Sequence, residues 1–267
     1  MKIFDAHCHI FPNKIASRAS ENIGRFYGLH MEYDGSVKTL MELYTRLGIS
    51  KCLVQSVATV PAQVPHINDF IAESVKLHPA LFVGFCSLHP LMEKKEIEAE
   101  VDRAIGLGLK GIKLHPDFQE FKIDDPKVYG IYEAAEGRLP ILFHTGDKRF
   151  DYSSPKRLAN ALRDFPRLTV IAAHFGGWSE WEEGERYLAD NPNVYVDTSS
   201  SLYALSPEKA KEYIKAFTPD RVMFGTDYPM WSIEEELKRM EKLDLTDSDR
   251  EKIMYKTACG LLNVNCK

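Results

Sequence analysis

The chain has 267 residues, of which 44% are hydrophobic and 27% charged, and it is long enough to bury a large core. Its net charge of −5 and pI near 6.0 argue against a nucleic-acid or anionic-membrane partner, because such partners attract basic patches. No segment has the pattern of a signal peptide or membrane span, and the five cysteines form no Cys-x-x-Cys pair, which predicts free thiols in a cytoplasmic protein.

The first predicted strand lies in IFDAHCHIF, residues 3–11. Strand side chains alternate between faces, which predicts Asp5, His7 and His9 on one face and the residues between them on the other. Histidines in a strand are often hydrogen-bonded core residues, so this pair alone leaves its role open. The next segment, about residues 11–36, is predicted as an irregular lid over the strand ends.

Seven further apolar runs follow, separated by amphipathic helical stretches, as is typical of parallel strands that are covered on both faces. The runs are KCLVQSV (51–57), LFVGFCSL (81–88), LKGIKLH (109–115), PILFHTG (140–146), TVIAAHFGG (169–177), VYVDTS (194–199) and RVMFGTDYP (221–229). Helix signals lie between them, with Gly48 as a C-cap and Ser154 and Ser206 as N-caps that precede proline.

Eight strand-then-helix units predict an α/β protein whose residues 1–267 form one (β/α)8 TIM-barrel domain. An open doubly wound sheet is the alternative. That fold normally has a glycine-rich phosphate turn after its first strand, where this chain has HCHIFPN.

Polar side chains recur at the carboxyl ends of the predicted strands. They are His7, His9, His115, His144, His174 and Asp227. In a parallel barrel these ends meet at one face, and imidazoles beside a carboxylate suit Zn²⁺, Mn²⁺, Fe²⁺ or Ni²⁺. Such an ion can lower the pKa of bound water to about 7, and Asp227 is placed to accept the proton.

The motifs DAHCHIF, GIKLHP, ILFHTG, AAHFGG, VYVDTSS and VMFGTDYP, in this order, resemble the amidohydrolase superfamily over nearly the whole chain. The resemblance is strongest to the amidohydrolase-related branch that includes aminocarboxymuconate-semialdehyde decarboxylase. It implies a metal bound by His7, His9, His144 and Asp227. It also implies that His174 either binds a second ion or contacts the metal-bound water and the substrate, and the second role is favoured.

The fourth strand departs from the binuclear members of the superfamily, which carry a carboxylated lysine or a glutamate there. This chain has Lys113 and His115, both predicted to face inward. His115 is a possible ligand, and Lys113 is a buried charge that needs a partner such as Asp5. We expect one tightly bound ion, zinc first and Mn, Fe or Ni as alternatives, with a second ion left open.

Substrate contacts are predicted in the loops that follow the strands. Asp147 and Arg149 come after the fifth strand, and the Arg149 fork suits an acidic group, although a solvated loop explains both residues equally well. Tyr228 is a candidate wall of the pocket, and Asp197 is a candidate to orient a ligand histidine.

The ligand pattern favours hydrolysis of a small-molecule amide, ester or lactone, with Asp227 moving the proton and His174 steadying the oxyanion. The alternative is non-oxidative decarboxylation of an aromatic or enoic acid at the same metal. A barrel that binds metal without catalysis is a third possibility. We expect a small-molecule substrate, no nucleic-acid or membrane partner, and a possible homo-oligomer.

Overall fold

The structure is a computed structural model that describes residues 2–265. The strands are β1 (Phe4–His9), β2 (Lys51–Gln55), β3 (Phe82–Gly84), β4 (Cys86–Ser87), β5 (Ile112–Leu114), β6 (Ile141–Phe143), β7 (Val170–Ala172), β8 (Val194–Asp197) and β9 (Val222–Met223). The helices are α1 (Ala16–Tyr27), α2 (Val37–Leu47), α3 (Val64–Leu77), α4 (Lys94–Gly106), α5 (Pro116–Gln119), α6 (Tyr129–Ala135), α7 (Pro155–Asp164), α8 (Trp181–Leu188), α9 (Pro207–Phe217), α10 (Ile233–Glu241), α11 (Asp247–Glu251) and α12 (Thr257–Leu262).

The chain divides into two compact units, and the first comprises Met1–Gln55, Ser74–Val83 and Thr198–Lys267. In this unit β1 pairs in parallel with β2. The other edge of β1 pairs with the segment that follows β9, because the Ala6 N–H donates to the Phe224 carbonyl (2.8 Å) and the His9 N–H donates to the Tyr228 carbonyl (2.7 Å). Both edges of β1 are therefore hydrogen-bonded.

The second unit comprises Ser56–Glu73 and Gly84–Asp197 and contains a parallel sheet in the order β4-β5-β6-β7-β8. A lateral row of aliphatic residues crosses this sheet in register, and each of them is fully buried: Ile112, Ile141, Val170 and Val194. Complete burial of such a side chain stabilises the fold by about 1.5–3 kcal/mol. The near-continuous apolar runs in the sequence reflect this burial.

The first strand contains a register shift that changes which side chains share a face. Between Asp5 and Cys8, β1 advances one residue more than β2, which is a β-bulge. The Tyr44 hydroxyl, on α2, donates to the Asp5 carboxylate (2.6 Å) and lies 2.9 Å from the Cys8 Sγ. Asp5 therefore lies on the α2 side with Cys8, and the prediction that it shares a face with His7 and His9 is wrong.

The third predicted strand is interrupted at Phe85, where β3 ends and β4 begins. Its first part pairs within the first unit, where the Cys52 N–H donates to the Leu81 carbonyl (2.8 Å). In the second unit the Phe85 ring lies over Gly111 so closely that a Cβ built there would be 2.3 Å from it. The eight predicted strands are thus present, one of them in two pieces.

The segment 11–36 is not irregular, because it contains the twelve-residue helix α1, which ends at Gly28 in a left-handed conformation (φ 67°). Helix α1 and the turn after it line a cavity of about 590 Å³. The Phe11 N–H donates to the Gly35 carbonyl (3.0 Å), which ties the two ends of the segment together. The lid function of this segment stays a prediction.

The predicted helix ends are mostly confirmed. Gly48 has a φ of 66° after α2, and the Ser206 hydroxyl accepts from the Lys209 N–H (3.2 Å) at the start of α9. Ser154 is at the N-cap of α7 but makes no capping hydrogen bond with its side chain.

No helix within residues 2–265 is long and apolar enough to cross a membrane. The four described cysteines are buried free thiols, and Cys266 lies outside the described residues.

Candidate active site

Two histidines of β1 and one aspartate converge in the first unit. The Nε2 atoms of His7 and His9 are 3.2 Å apart, and the Asp227 Oδ1 is 3.5 Å from each of them. His7 is 1% exposed and Asp227 8%. The structure therefore brings together three of the predicted ligands.

These three atoms have the spacing that a divalent ion requires. Ligand atoms lie about 2.0–2.2 Å from zinc or a similar ion, so neighbouring ligands around it are roughly 3–3.5 Å apart. The measured separations of 3.2 and 3.5 Å fall in this range. Three lone-pair donors that converge in a buried place are poorly matched without a cation, so these residues fit a divalent metal.

The backbone holds Asp227 beside His7. The Asp227 N–H donates to the His7 carbonyl (2.9 Å). The next residue, Tyr228, forms a parallel β-bridge with Cys8 of β1. Asp227 itself has a φ of 60°, a left-handed conformation that is costly for a residue other than glycine. Such strain tends to occur at functional positions, where the surrounding structure holds it in place.

Two consecutive serines contact this group from the loop that follows β8. The Ser199 Oγ lies 3.1 Å from the Nδ1 of His7, and the Ser200 hydroxyl donates to the Asp227 Oδ2 (2.5 Å). Ser200 in turn accepts a hydrogen bond from the Trp231 indole N–H (2.7 Å). Both serines lie at the end of the motif VYVDTSS, directly after a predicted strand. The sequence therefore places them at a strand end, but it does not indicate which residues they contact.

Three predicted histidines meet in the second unit. The rings of His115 and His144 stack with centroids 4.1 Å apart, and the Nδ1 of His144 is 3.1 Å from the Nε2 of His174. All three are buried. Each histidine follows the end of its strand. Because β5, β6 and β7 are parallel, these strand ends lie on the same side of the sheet, and the three side chains meet there.

Asp197 and a left-handed turn position His174. His174 has a φ of 62°, and its N–H donates to the Asp197 Oδ1 (3.1 Å). The Asp197 carbonyl accepts from the Phe175 N–H (2.7 Å). Asp197 was predicted to orient a histidine, and these bonds show that it holds the main chain of His174.

His115 caps α5 while its ring stacks between two neighbours. Its Nδ1 accepts from the Phe118 N–H (3.3 Å), and the Phe118 ring stacks on it with centroids 3.8 Å apart. With Nδ1 used in this way, Nε2 remains the nitrogen to consider as a metal ligand. The role of His115 as a possible ligand stays a prediction.

A buried aspartate that the sequence did not single out lies beside His144. The Asp117 Oδ2 is 3.8 Å from the His144 Nε2. Burial raises the pKa of the Asp117 carboxyl to about 7, and the nearby Asp147 carboxylate adds to this effect. Asp117, His144 and Asp147 also offer three ligand atoms that lie within 4.8 Å of one another. The only signal for Asp117 in the sequence is its position after the strand-end HP dipeptide.

The predicted substrate residues of this loop are paired with each other. The Arg149 guanidinium donates to both carboxylate oxygens of Asp147, at 2.9 Å from Nε and 2.7 Å from Nη2. The Arg149 side chain is 36% exposed, and its guanidinium lies 5.6 Å from the centroid of the Trp178 ring. The pair can present a fixed cation, and its contact with substrate stays a prediction.

Tyr228 and Lys113 are both fully buried. The Tyr228 hydroxyl donates to the Ser36 carbonyl (2.8 Å), and its ring stacks on Tyr33, which favours packing over the predicted substrate contact. Lys113 belongs to the second unit, and its predicted pairing with Asp5 stays a prediction. Burial raises the pKa of Asp5, although hydrogen bonds from Thr226 and Tyr44 oppose the rise.

Like Asp117, the buried carboxyl group of Glu236 on α10 has a raised pKa. Glu236 is fully buried and pairs with Arg239 one turn later. Burial nevertheless raises the Glu236 pKa to about 7, and the Asp5 and Asp227 carboxylates contribute to the rise. The neutral form of Glu236 is therefore favoured at mildly acidic pH.

We expect Glu236→Gln to flatten the pH dependence of stability. Because the pKa of Glu236 is about 7 in the folded state and 4.5 ordinarily, its stabilising contribution is complete below pH 4.5 and is lost as pH rises to 7. Glu236 alone should lower the free energy of unfolding by roughly 3 kcal/mol over that interval in the parent protein, and the variant lacks this contribution. Urea unfolding at several pH values measures this, with the exposed Glu235→Gln as the control. Equal slopes in parent and variant would contradict it.

Comparisons with known proteins identify the family of this chain. The amidohydrolase family model matches residues 4–264. A gamma-resorcylate decarboxylase from Polaromonas sp. (strain JS666 / ATCC BAA-500) is 24% identical over 249 residues, which cover 74% of this chain and 75% of the relative.

Two solved structures share the fold. An uncharacterised TIM-barrel protein from Bordetella bronchiseptica superposes with a TM-score of 0.82 at 24% identity, covering 98% of this chain and 99% of that one. A dihydroxybenzoic acid decarboxylase from Polaromonas sp. JS666, with bound manganese and the inhibitor 2-nitroresorcinol, gives a TM-score of 0.76 at 16% identity, covering 98% and 97%.

These matches confirm the predicted (β/α)8-barrel fold and the predicted superfamily. The decarboxylase names among them also agree with the predicted branch of that superfamily. The family model extends over nearly all of the chain and includes His7, His9, His144, His174 and Asp227. The chain therefore belongs to the amidohydrolase family and is an enzyme.

Proposed function

We propose that the protein is a metal-dependent, non-oxidative decarboxylase of an aromatic or enoic carboxylic acid. The observation that carries the proposal is the convergence of His7, His9 and Asp227 at metal-ligand spacing. The ligand pattern alone favours hydrolysis, but two of the three relatives reported above are named as decarboxylases of hydroxylated benzoic acids. Their names support the alternative that the sequence left open.

His7, His9 and Asp227 would hold the ion. When bound, a divalent ion supplies positive charge that orients an acidic substrate and stabilises negative charge during the reaction. Manganese is the first metal to test because one relative contains it, and zinc stays the alternative. His144 lies in the second unit, and its membership of the ligand set stays a prediction, as does a second ion.

The residues of the chain must also handle a proton. In a decarboxylation the bond between the carboxyl carbon and its neighbour breaks, the electron pair stays on that neighbour, and a proton is added there. We assign the delivery of this proton to Asp227, the carboxyl group that lies 3.5 Å from a ring nitrogen of both His7 and His9 at the proposed metal site. We assign His174 to contact the substrate.

An acidic substrate also needs a cation that stays in place. The Arg149 guanidinium is held by both oxygens of the buried Asp147, so its orientation is restricted before any ligand arrives. Such preorganisation lowers the cost of binding an anion. We therefore keep Arg149 as the candidate for binding a substrate carboxylate, with Asp147 fixing its orientation.

The test is a substrate panel assayed after reconstitution with Mn²⁺ or Zn²⁺. The panel contains hydroxylated benzoic acids, enoic acids, and amides, esters and lactones of similar size. We expect release of CO₂ from at least one acid, loss of this activity with a chelator, and no activity in the His7→Ala/His9→Ala variant. A hydrolysis product formed without CO₂ would instead favour the hydrolase.

A further inference from the structure

We propose that Ser199 and Ser200 are positioning residues that aim the metal-binding atoms of His7 and Asp227. The proposal rests on the proposed metal site and extends it to the loop after β8. Neither serine would touch the ion. Each serine contacts the ligand atom that faces away from the proposed metal, which is Nδ1 of His7 for Ser199 and Oδ2 of Asp227 for Ser200. The other atom of each ligand, Nε2 or Oδ1, is then directed towards the metal.

Ser199 sets the protonation pattern of His7. A neutral imidazole carries one N–H, so Nε2 can offer a lone pair to a metal only when the hydrogen is on Nδ1. The Ser199 Oγ lies 3.1 Å from Nδ1 and can accept that hydrogen. Ser199 is fully buried, so bulk water cannot readily replace it. The Nε2 of His7 is then left facing His9 and Asp227.

The Trp231 indole fixes the role of the Ser200 oxygen as an acceptor. The Trp231 indole can only donate, so the Ser200 oxygen must accept from it (2.7 Å). The single Ser200 hydrogen is therefore available for the Asp227 Oδ2, which is 2.5 Å away. With Oδ2 engaged, Oδ1 is the oxygen that faces both imidazoles at 3.5 Å.

The two serines belong to one anchored piece of backbone. The Thr198 N–H donates to the Met223 carbonyl (3.0 Å), and the Ser201 hydroxyl donates to the Ser199 carbonyl (3.0 Å). Ser200 itself has a φ of 46°. One short segment therefore fixes two ligands that come from distant parts of the chain, and groups that hold metal ligands in this way typically contribute 10–100-fold to metal affinity.

The test compares metal binding by Ser199→Ala and Ser200→Ala with the parent protein. Isothermal titration of metal-free protein with Mn²⁺, and separately with Zn²⁺, should show a 10–100-fold weaker affinity for each variant. Ser199→Thr, which keeps the hydroxyl at a position without a positive φ, should restore the affinity that Ser199→Ala loses. Ser20→Ala is the matched control, because Ser20 is equally buried but its hydroxyl donates to the Tyr33 carbonyl and contacts none of the ligands.

Thermal unfolding in a chelator separates positioning from general stability. We expect both alanine variants to remain folded and to lose much of the stabilisation that added metal gives the parent protein. If Ser200→Ala does not fold, Ser200→Gly replaces it, since glycine accepts the positive φ without strain. Unchanged metal affinity in the folded variants would overturn the proposal.

The same titration distinguishes this proposal from the proposed function. If the parent protein binds Mn²⁺ or Zn²⁺ and both serine variants bind it equally well, the metal site stands and the positioning role is wrong. If the parent protein binds neither metal, the proposed function fails and the positioning role fails with it. Weaker binding by both serine variants, but not by Ser20→Ala, supports both.

Discussion

Replacing Asp227 with asparagine is expected to lower kcat by roughly 10²–10⁴-fold while most of the bound metal is retained. Asparagine has the shape of aspartate but cannot hold and release a proton at neutral pH. Its amide nitrogen can donate to the Ser200 oxygen, which leaves the amide oxygen on the side of His7 and His9, where Oδ1 now lies. Steady-state kinetics of the metal-loaded variant, with metal content measured on the same sample, checks this expectation.

The matched control for this variant is Asp220→Asn. Asp220 is 65% exposed and pairs with Lys252, so its replacement should change neither kcat nor metal content. Full activity in Asp227→Asn would show that another group delivers the proton. Loss of the metal together with the activity would show that the charge of Asp227 is needed for binding, and its role in proton transfer would then be unsupported.

The double variant His7→Ala/His9→Ala is expected to lose bound metal altogether. It removes two of the three converging donor atoms, and a single carboxylate does not hold a divalent ion tightly. Mass spectrometry of protein purified without a histidine tag should give about one equivalent of metal per parent chain and none for the variant. The exposed His30→Ala serves as a control that should keep the metal.

The number of metal ions bound by the parent protein also distinguishes a site for one ion from a site for two. Two equivalents, one of them retained in the double variant, would indicate a second site, for which Asp117, His144 and Asp147 form the candidate group in the second unit. No metal in the parent protein, and none taken up from added Zn²⁺ or Mn²⁺, would contradict the proposed metal centre.

Periodicity and strand-end residues were enough to predict the fold and most of the candidate site. A parallel strand covered on both faces reads as an apolar run, and its functional side chains follow directly at its carboxyl end. His7, His9 and Asp227 could therefore be recognised from local sequence alone. The same reasoning identified His144 and His174, which meet in the second unit.

Contacts between distant residues could not be predicted in this way. The hydrogen bonds of Ser199 and Ser200 join residues that are 192 and 27 positions apart, and no local pattern encodes them. The position of Asp5 depends on a register shift that strict alternation cannot anticipate. The choice between hydrolysis and decarboxylation was also beyond local patterns, because the same ligands serve both reactions.

The extra residue in β1 has a consequence for how this strand can vary among relatives. It separates an anchoring half, where Asp5 is bound by Tyr44 and Thr226, from a half that carries the two histidines. A change of length between Asp5 and His7 can be absorbed by the bulge, whereas an insertion after His7 would change the spacing of the two histidines and displace His9 from Gln55 and from Asp227. Natural insertions and deletions in this strand should therefore be confined to the bulge, and the spacing of the histidines should be the more constant feature.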